Sequence, residues 1–255
     1  MPPVRQPAPR VTPITLGDVL DDSEIERVLC VMAHPDDVDY GLGGTVANFT
    51  DKGFEVTYCL VTSGDAGGFD PDVPRSEIAG IREAEQTAAA KVNGVTDLRF
   101  LHYPDGQLEA TLELRRDIAR VIREVRPQRM VCQSPERHWS RIPASHPDHR
   151  AAGSAALDAM YPDARNPFTF ADELGQLEAW SVRETWVIGG ERTNHYEDVT
   201  AQFERKKTAL LEHKSQITDP DGLHNLLDWW LGGNAAAAGW EKGRYAESFW
   251  VMATG

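Results

Sequence analysis

The sequence lacks any long apolar run. No stretch of its 255 residues approaches the roughly 18 consecutive apolar residues of a membrane-spanning helix, so we expect no membrane span. Residues 1–16 are rich in proline and contain no apolar segment of the kind found in signal peptides. This composition predicts that residues 1–16 form a loose tail.

Basic residues and cysteines are also scarce. The 26 Lys and Arg residues are outnumbered by 40 Asp and Glu residues, the net charge is −14, and no basic block occurs. This balance argues against nucleic acid or an anionic membrane as a partner, because both attract Lys and Arg. The three cysteines, Cys30, Cys59 and Cys132, lie in separate apolar runs and predict the reduced, buried thiols of a cytoplasmic protein.

Strand-like and helix-like segments alternate over the first two thirds of the chain. Apolar runs predict four strands, at 27–33, 55–62, 98–102 and 129–133, and the second of them is rich in β-branched residues. Apolar residues at helical spacing predict four helices, at 43–52, 76–93, 112–125 and 149–160. This alternation predicts an α/β fold in which a mostly parallel sheet has helices on both faces.

The rest of the chain is less regular. It predicts a strand at 180–189, an amphipathic helix at 200–217, an irregular segment at 219–243 and a last strand at 248–252. Trp229, Trp230 and Trp240 in the irregular segment suit a lid, an acceptor platform, a dimer contact or plain core. Because no repeat or charged linker occurs, we expect a single domain over 1–255. Residues 17–164 would form its core, and residues 165–255 a smaller α+β part that completes the pocket.

Polar clusters follow the predicted strands of the core. They lie at 34–37, 63–65, 103–106 and 146–149. The carboxyl ends of parallel strands meet at one edge of a sheet, where ligands bind. We therefore expect these clusters to lie together on one rim.

Two of these clusters carry the side chains of a catalytic zinc site. Such a site takes three ligands from His, Asp or Glu, and the metal lowers the pKa of its bound water from 15.7 toward about 7. His34, one of the two adjacent aspartates and His149 would supply the ligands. The other aspartate would then accept the proton of the water, and His146 would lie beside the metal. The spacing does not decide between Asp36 and Asp37.

Either cluster alone has a plain structural explanation. The first could be a capped turn, and the second could be a helix N-terminus capped by Asp148. Their placement on the same predicted rim favours a metal site.

Both clusters resemble the signatures of the PIG-L (LmbE-like) zinc-dependent N-deacetylases. The matching segments are 33–37 with 43–45, 146–149, 82–85, 103–106, 206–216 and 246–249. The resemblance covers about residues 27–217. It implies a Rossmann-like fold and the hydrolysis of an N-acyl group, typically an acetyl group on a glucosamine unit.

The resemblance also implies residue roles. It makes His34, Asp37 and His149 the zinc ligands, Asp36 the general base, and His146 the general acid or oxyanion stabiliser. Arg82 and Asp105 match positions that contact the sugar, although a surface ion pair and a turn would also explain them. His213, on one face of the predicted 200–217 helix, suits a substrate contact or a structural histidine equally well.

One departure from the family pattern concerns the substrate. Some sugar-thiol deacetylases of the family carry a tyrosine two residues before the first histidine of the second signature, where this chain has Ala144. This departure counts against a thiol-cofactor substrate more than against the reaction type. The resemblance still implies a small N-acyl amino-sugar substrate, and the sequence is compatible with a homo-oligomer. An N-acyl amidase for a non-sugar metabolite and a metal-dependent phosphoesterase are the alternatives, although phosphoesterases often use two metals and more carboxylates.

Overall fold

One sheet of seven strands organises the protein, in the order β3-β2-β1-β4-β5-β7-β6. The computed structural model describes residues 20–255, so the predicted tail at 1–16 lies outside the described residues. The strands are β1 (Arg27–Met32), β2 (Glu55–Thr62), β3 (Asp97–Tyr103), β4 (Arg129–Gln133), β5 (Glu184–Ile188), β6 (His195–Asp198) and β7 (Ala246–Ala253).

Seven α-helices occur within the described residues. They are α1 (Asp37–Asp51), α2 (Arg75–Val92), α3 (Leu112–Val125), α4 (Pro147–Asp158), α5 (Ala171–Leu174), α6 (Phe203–Leu211) and α7 (Pro220–Ala237). Short 3₁₀ turns lie at Asp22–Glu24, Ile142–Ala144 and Thr200–Gln202, and a π turn at Ala159–Asp163 continues α4.

The sheet is mostly parallel and reverses its strand order at β1. Strand β1 pairs in parallel with β2 on one side and β4 on the other, and β3 and β5 extend the parallel part outward. Strand β7 is antiparallel to both β5 and β6. The switch point of the sheet therefore lies between β1 and β4, where open α/β sheets bind ligands.

Helices cover both faces of the sheet. Val28, Cys30 and Met32 of β1 belong to a core that also contains buried side chains of α1. Leu29 and Val31 point the other way, into a core shared with α3 and α4. The α/β fold class predicted from the sequence is confirmed, and residues 165–255 add β5, β6 and β7 to the same sheet.

Several predicted element bounds were wrong. Helix α1 begins at Asp37, not at residue 43, and the segment 219–243 contains the long helix α7. The predicted 200–217 helix is a 3₁₀ turn followed by α6, which ends at Leu211. Strand β6 was not predicted at all.

A buried ion pair binds the backbone N–H groups that a break inside α1 leaves without partners in the helix. Leu42 has non-helical dihedral angles, so the N–H groups of Gly44 and Thr45 need partners outside the helix. The carboxylate of Glu247 on β7 accepts both, at 3.0 and 2.7 Å. Lys206 on α6 donates to the same carboxylate at 2.6 Å, and both side chains are buried. Strand β7 and helix α6 thus hold the helix that follows β1.

Helix α4 packs very close to β4 through Gly153. A Cβ atom at this position would lie 2.1 Å from the carbonyl oxygen of Gln133, so a larger residue would push the helix away. This contact sets the position of the first turn of α4, which contains His149.

We expect Gly153→Ala to lower the free energy of unfolding by about 1–3 kcal/mol, because α4 must move off the strand. Gly80→Ala is the matched control, since an added Cβ there meets nothing within 4 Å and Gly80 lies in α2. That change should raise the free energy of unfolding by about 0.5–1 kcal/mol. Urea unfolding measures both; wild-type stability for Gly153→Ala would contradict the close contact.

Candidate metal centre

The predicted clusters meet at the switch point of the sheet. His34 follows β1 by two residues, and Asp37 is the first residue of α1. His149 lies in the first turn of α4, in the connection that follows β4. The parallel pairing of β1 with β4 therefore brings together side chains more than a hundred residues apart in sequence.

Three donor groups converge at this point. His34 Nδ1 lies 3.3 Å from Asp37 Oδ2 and 3.3 Å from His149 Nε2, and His149 Nε2 lies 3.0 Å from Asp37 Oδ1. Ligands at about 2.0–2.1 Å from a tetrahedral zinc ion stand roughly 3.3 Å apart. The spacing of these three groups thus fits one such ion. A ring nitrogen of His146 also lies within 4.8 Å of those of His34 and His149.

Two carboxylates lie behind His34. Its Nε2 atom is 3.0 Å from Asp105 Oδ1 and 3.3 Å from Asp148 Oδ2. Backbone N–H groups hold both carboxylates, that of Ala66 on Asp105 and that of Gly106 on Asp148. Outer carboxylates of this kind accept the Nε2–H of a histidine and leave its Nδ1 lone pair free for a metal. Asp105 therefore contacts the candidate ligand His34 in this structure, and its predicted contact with the sugar remains a prediction.

The charges of the cluster favour a cation. Burial alone would lower the pKa of His34, but hydrogen bonds with Asp105, Asp148 and Asp37 raise it far above its ordinary value. Burial would raise the pKa of Asp37, yet the charge of His149 and hydrogen bonds from both histidines bring it well below the usual range. Positive charge at this point is thus stabilised by several carboxylates, which suits a divalent metal ion as well as a proton.

Asp36 directly precedes Asp37 in the chain, and its carboxylate pairs with an arginine instead of a histidine. Its side chain accepts a hydrogen bond from Arg82 Nη2 at 3.0 Å. Burial and the charge of Asp37 raise the pKa of Asp36 to about 6, although Arg82 opposes the shift. The carboxylate is therefore tuned toward the range in which a general base works near neutral pH.

Arg82 faces the protein interior. It is buried, and its guanidinium donates to the carbonyl oxygens of Pro35 and Gly64 as well as to Asp36. In this arrangement Arg82 holds the turn that carries Asp36, and it does not line the cavity described below. Its predicted contact with substrate remains a prediction.

His146 caps the N-terminus of α4. Its Nδ1 accepts the N–H of Asp148 at 3.2 Å, so the ring proton lies on Nε2. Burial and the charges of His34 and His149 lower the pKa of His146. The capping residue is thus His146, and Asp148, considered from the sequence as the cap, is buried against His34 instead.

His213 is not part of the rim. Its side chain is completely buried, and its Nε2 lies 2.9 Å from Asp39 Oδ2. This environment is that of a structural histidine, which was one of its two interpretations from the sequence.

A cavity of about 390 Å³ opens beside Asp37 and His149. Other residues that line it include Tyr40, Arg141, Ala144, Glu191, Trp230 and Asn234. Helix α7, which the sequence did not predict, thus supplies one wall. Of the tryptophan pair, Trp230 lines the cavity and Trp229 is 70% exposed.

Sequence reasoning missed three polar residues near the site. Asp148 was a member of a recognised signature, so its spacing from His146 could have indicated it. Asp39 lies in the first turn of α1, and Gln86 lies one turn beyond Arg82 on α2. No local pattern separates either of them from surface residues.

The fold and the rim together define an α/β protein with a candidate metal centre at the switch point of its sheet. Residues 29–160 match the family described as PIG-L, GlcNAc-PI de-N-acetylase. The chain belongs to this family.

Known relatives agree with this assignment. The chain is 33% identical over 226 residues to diacetylchitobiose deacetylase of Thermococcus kodakarensis, covering 88% of this chain and 82% of the relative. It is 34% identical over 197 residues to a probable N-acetyl-alpha-D-glucosaminyl L-malate deacetylase 2 of Bacillus cereus, covering 74% and 83%. The solved structure of N,N'-diacetylchitobiose deacetylase from Pyrococcus horikoshii superposes with a TM-score of 0.83 at 28% identity, covering 91% of this chain and 85% of that structure.

Among the helices of residues 20–255, none combines the length and hydropathy of a membrane span.

Proposed function

We propose that this protein is a zinc-dependent N-deacetylase that removes an acetyl group from an amino sugar or its conjugate. The observation that carries the proposal is the convergence of His34, Asp37 and His149 at 3.0–3.3 Å beside a cavity of about 390 Å³. Membership of the PIG-L family and the named activities of the relatives support it.

In this proposal each residue of the rim has a separate task. His34 Nδ1, Asp37 and His149 Nε2 would hold zinc, which acts as a Lewis acid and lowers the pKa of water. Asp36, which is not one of these three ligands, takes the proton from the attacking water. Arg82 orients that carboxylate through its hydrogen bond. Asp105 and Asp148 keep His34 in the tautomer that leaves Nδ1 free.

His146 is assigned to the oxyanion. Its Nδ1 accepts a backbone N–H, so its Nε2–H is the group left to donate a hydrogen bond to the carbonyl oxygen as charge develops there. Of the two roles inferred from the sequence, oxyanion stabiliser and general acid, the first suits a ring with a lowered pKa. The proton that Asp36 accepts can then pass to the leaving amine.

The substrate class follows from the relatives and the cavity. The relatives are named for diacetylchitobiose and for an N-acetylglucosaminyl malate, both N-acetylated amino-sugar compounds. Polar side chains such as Asn234 and Glu191, together with the aromatic face of Trp230, suit a hydroxyl-rich ring. Ala144 leaves the cavity without a tyrosine hydroxyl at that position, so we do not propose a sugar-thiol substrate.

The proposal is tested by measuring amine release from N-acetylglucosamine, N,N'-diacetylchitobiose and N-acetylated amino acids, with zinc, with chelator and after zinc is restored. We expect turnover of a sugar substrate that chelation abolishes and zinc restores. Turnover of N-acetyl amino acids alone would favour the amidase alternative. Cleavage of a phosphate ester, with two tightly bound metal ions per chain, would favour the phosphoesterase.

Asp148→Asn tests the carboxylate behind His34. We expect zinc affinity to fall by about 10- to 100-fold, because the neutral amide no longer stabilises the Nε2–H of His34 as the carboxylate does. Competition with a chelator of known affinity measures the change. Asp65→Asn is the control, since Asp65 lies on the same rim and contacts the N–H of Asp105 but not His34. Equal zinc affinity in both variants would remove Asp148 from this role.

Three wider predictions complete the proposal. We propose a single domain, supported by the one sheet that residues 27–253 share. We also propose a cytoplasmic location, supported by three free, buried cysteines. Assembly into a homo-oligomer stays a prediction, which light scattering would test.

A further inference from the structure

Asp36 has a backbone conformation that residues other than glycine rarely adopt. Its φ angle is 91°, in the left-handed region, where a Cβ atom crowds the backbone. Such a conformation persists only when the surrounding structure holds it, and it occurs often in active sites. The residue proposed as the general base is therefore one that depends on its neighbours for its position.

Helix α2 holds Asp36 at two points. Arg82 binds its carboxylate, and one helical turn later the Oε1 atom of Gln86 accepts its backbone N–H at 2.7 Å. Gln86 is completely buried and does not line the cavity. Arg82 thus restrains the side chain, while Gln86 restrains the strained backbone itself.

A buried carboxylate orients the amide of Gln86. The Nε2 atom of Gln86 donates to Asp39 Oδ2 at 2.8 Å, and His213 Nε2 lies 2.9 Å from the same oxygen. An ionised carboxylate can only accept, so it selects the orientation in which the Gln86 oxygen points to Asp36. This explains why the wholly buried Asp39 and His213 lie behind the rim without reaching the cavity.

We infer that Gln86 is a positioning residue for the general base: it holds the left-handed backbone of Asp36 so that the carboxylate stays aimed at the reacting water. The inference rests on the proposed function, because the role of Asp36 as a base does. Gln86 would affect the rate of the chemical step and neither metal binding nor the affinity for substrate.

The chain offers a matched pair of substitutions. Gln86→Met removes an amide that contacts both Asp36 and Asp39. Asn93→Leu removes an equally buried amide, which donates to Asp39 Oδ1 at 3.1 Å and has no contact with Asp36. We expect Gln86→Met to lower kcat by about 10- to 100-fold, as for other misplaced catalytic groups. KM and zinc content should stay unchanged. Asn93→Leu should lower Tm to a similar extent and leave kcat within about twofold of the wild type.

Hydrogen exchange gives a readout that does not depend on activity. The N–H of Asp36 should exchange faster in Gln86→Met and stay protected in Asn93→Leu. Protection of the Asp36 N–H in both variants, or an equal loss of kcat in both, would overturn the role of Gln86. If the wild type deacetylates none of the substrates, the proposed function fails. The hydrogen-exchange result still tests whether Gln86 holds the N–H of Asp36.

Gln86→Glu is a second variant, which tests the acceptor oxygen of Gln86 separately from the rest of the amide. The glutamate retains an oxygen for the Asp36 N–H but sets a second buried carboxyl group against Asp39, and the two must share a proton. We expect a lower Tm than that of Gln86→Met together with a higher kcat. A kcat of Gln86→Glu equal to or below that of Gln86→Met would contradict the inference, because the glutamate keeps the acceptor oxygen.

Discussion

Asp36→Asn is expected to lower kcat by a factor of about 10² to 10⁴ while the protein keeps its zinc. The amide has the shape of the carboxylate but cannot accept a proton, and Asp36 is not among the three groups that converge at 3.0–3.3 Å. Steady-state kinetics on the best sugar substrate, with metal content measured on the same sample, would give the result. Turnover near that of the wild type would remove Asp36 from the role of base.

Asp37→Asn is the natural counterpart. The two carboxylates are adjacent in sequence, yet Asp37 contacts both His34 and His149, whereas Asp36 contacts Arg82. We therefore expect the Asp37 variant to lose zinc and, with it, activity. A reversed result, with zinc lost from the Asp36 variant, would exchange the two roles, which the spacing in the sequence could not assign.

Lys206→Met is expected to lower the free energy of unfolding by about 3–5 kcal/mol, because it leaves the carboxylate of Glu247 buried without its cation. Lys206 is wholly buried and donates to Glu247 and to the carbonyl oxygens of Asp39 and Tyr40. Methionine preserves the length of the side chain and supplies none of these hydrogen bonds. Urea-induced unfolding measures the change.

Two controls separate the buried charge from the change in shape. Lys207→Met breaks an ion pair with Glu204, which is largely exposed, and should cost about 0.5 kcal/mol or less. Adding Glu247→Gln to Lys206→Met removes the stranded charge and should recover part of the lost stability. A cost for Lys206→Met no larger than that for Lys207→Met would show that the buried pair contributes little.

The sequence predicted the central strands and the location of the rim well. Strands β1, β2 and β4 are buried and parallel, so their apolar runs are unbroken and their ends fall within a residue of the predicted bounds. Because ligands bind where such strands end, the sequence alone predicts that the polar clusters after β1 and β4 lie together.

The features that the sequence did not predict depend on contacts between distant segments. Helix α7 buries Leu223, Leu227 and Leu231 at helical spacing, but Gly232, Gly233 and the paired tryptophans disguise that pattern. The tasks of the buried polar residues depend on partners far away in the chain. Gln86 is 50 residues from Asp36, and Asp148 is 114 residues from His34, so no local spacing could indicate what they contact.

The ion pair of Lys206 with Glu247 also bears on the order of events during synthesis. Glu247 leaves the ribosome 203 residues after Gly44, yet its carboxylate binds Gly44 and Thr45 in the helix that begins at Asp37. N-terminal segments generally fold first as a chain emerges, but this helix acquires its native break only when β7 is in place. A nascent chain halted before β7 would therefore carry both histidine signatures and lack the carboxylate that binds this break.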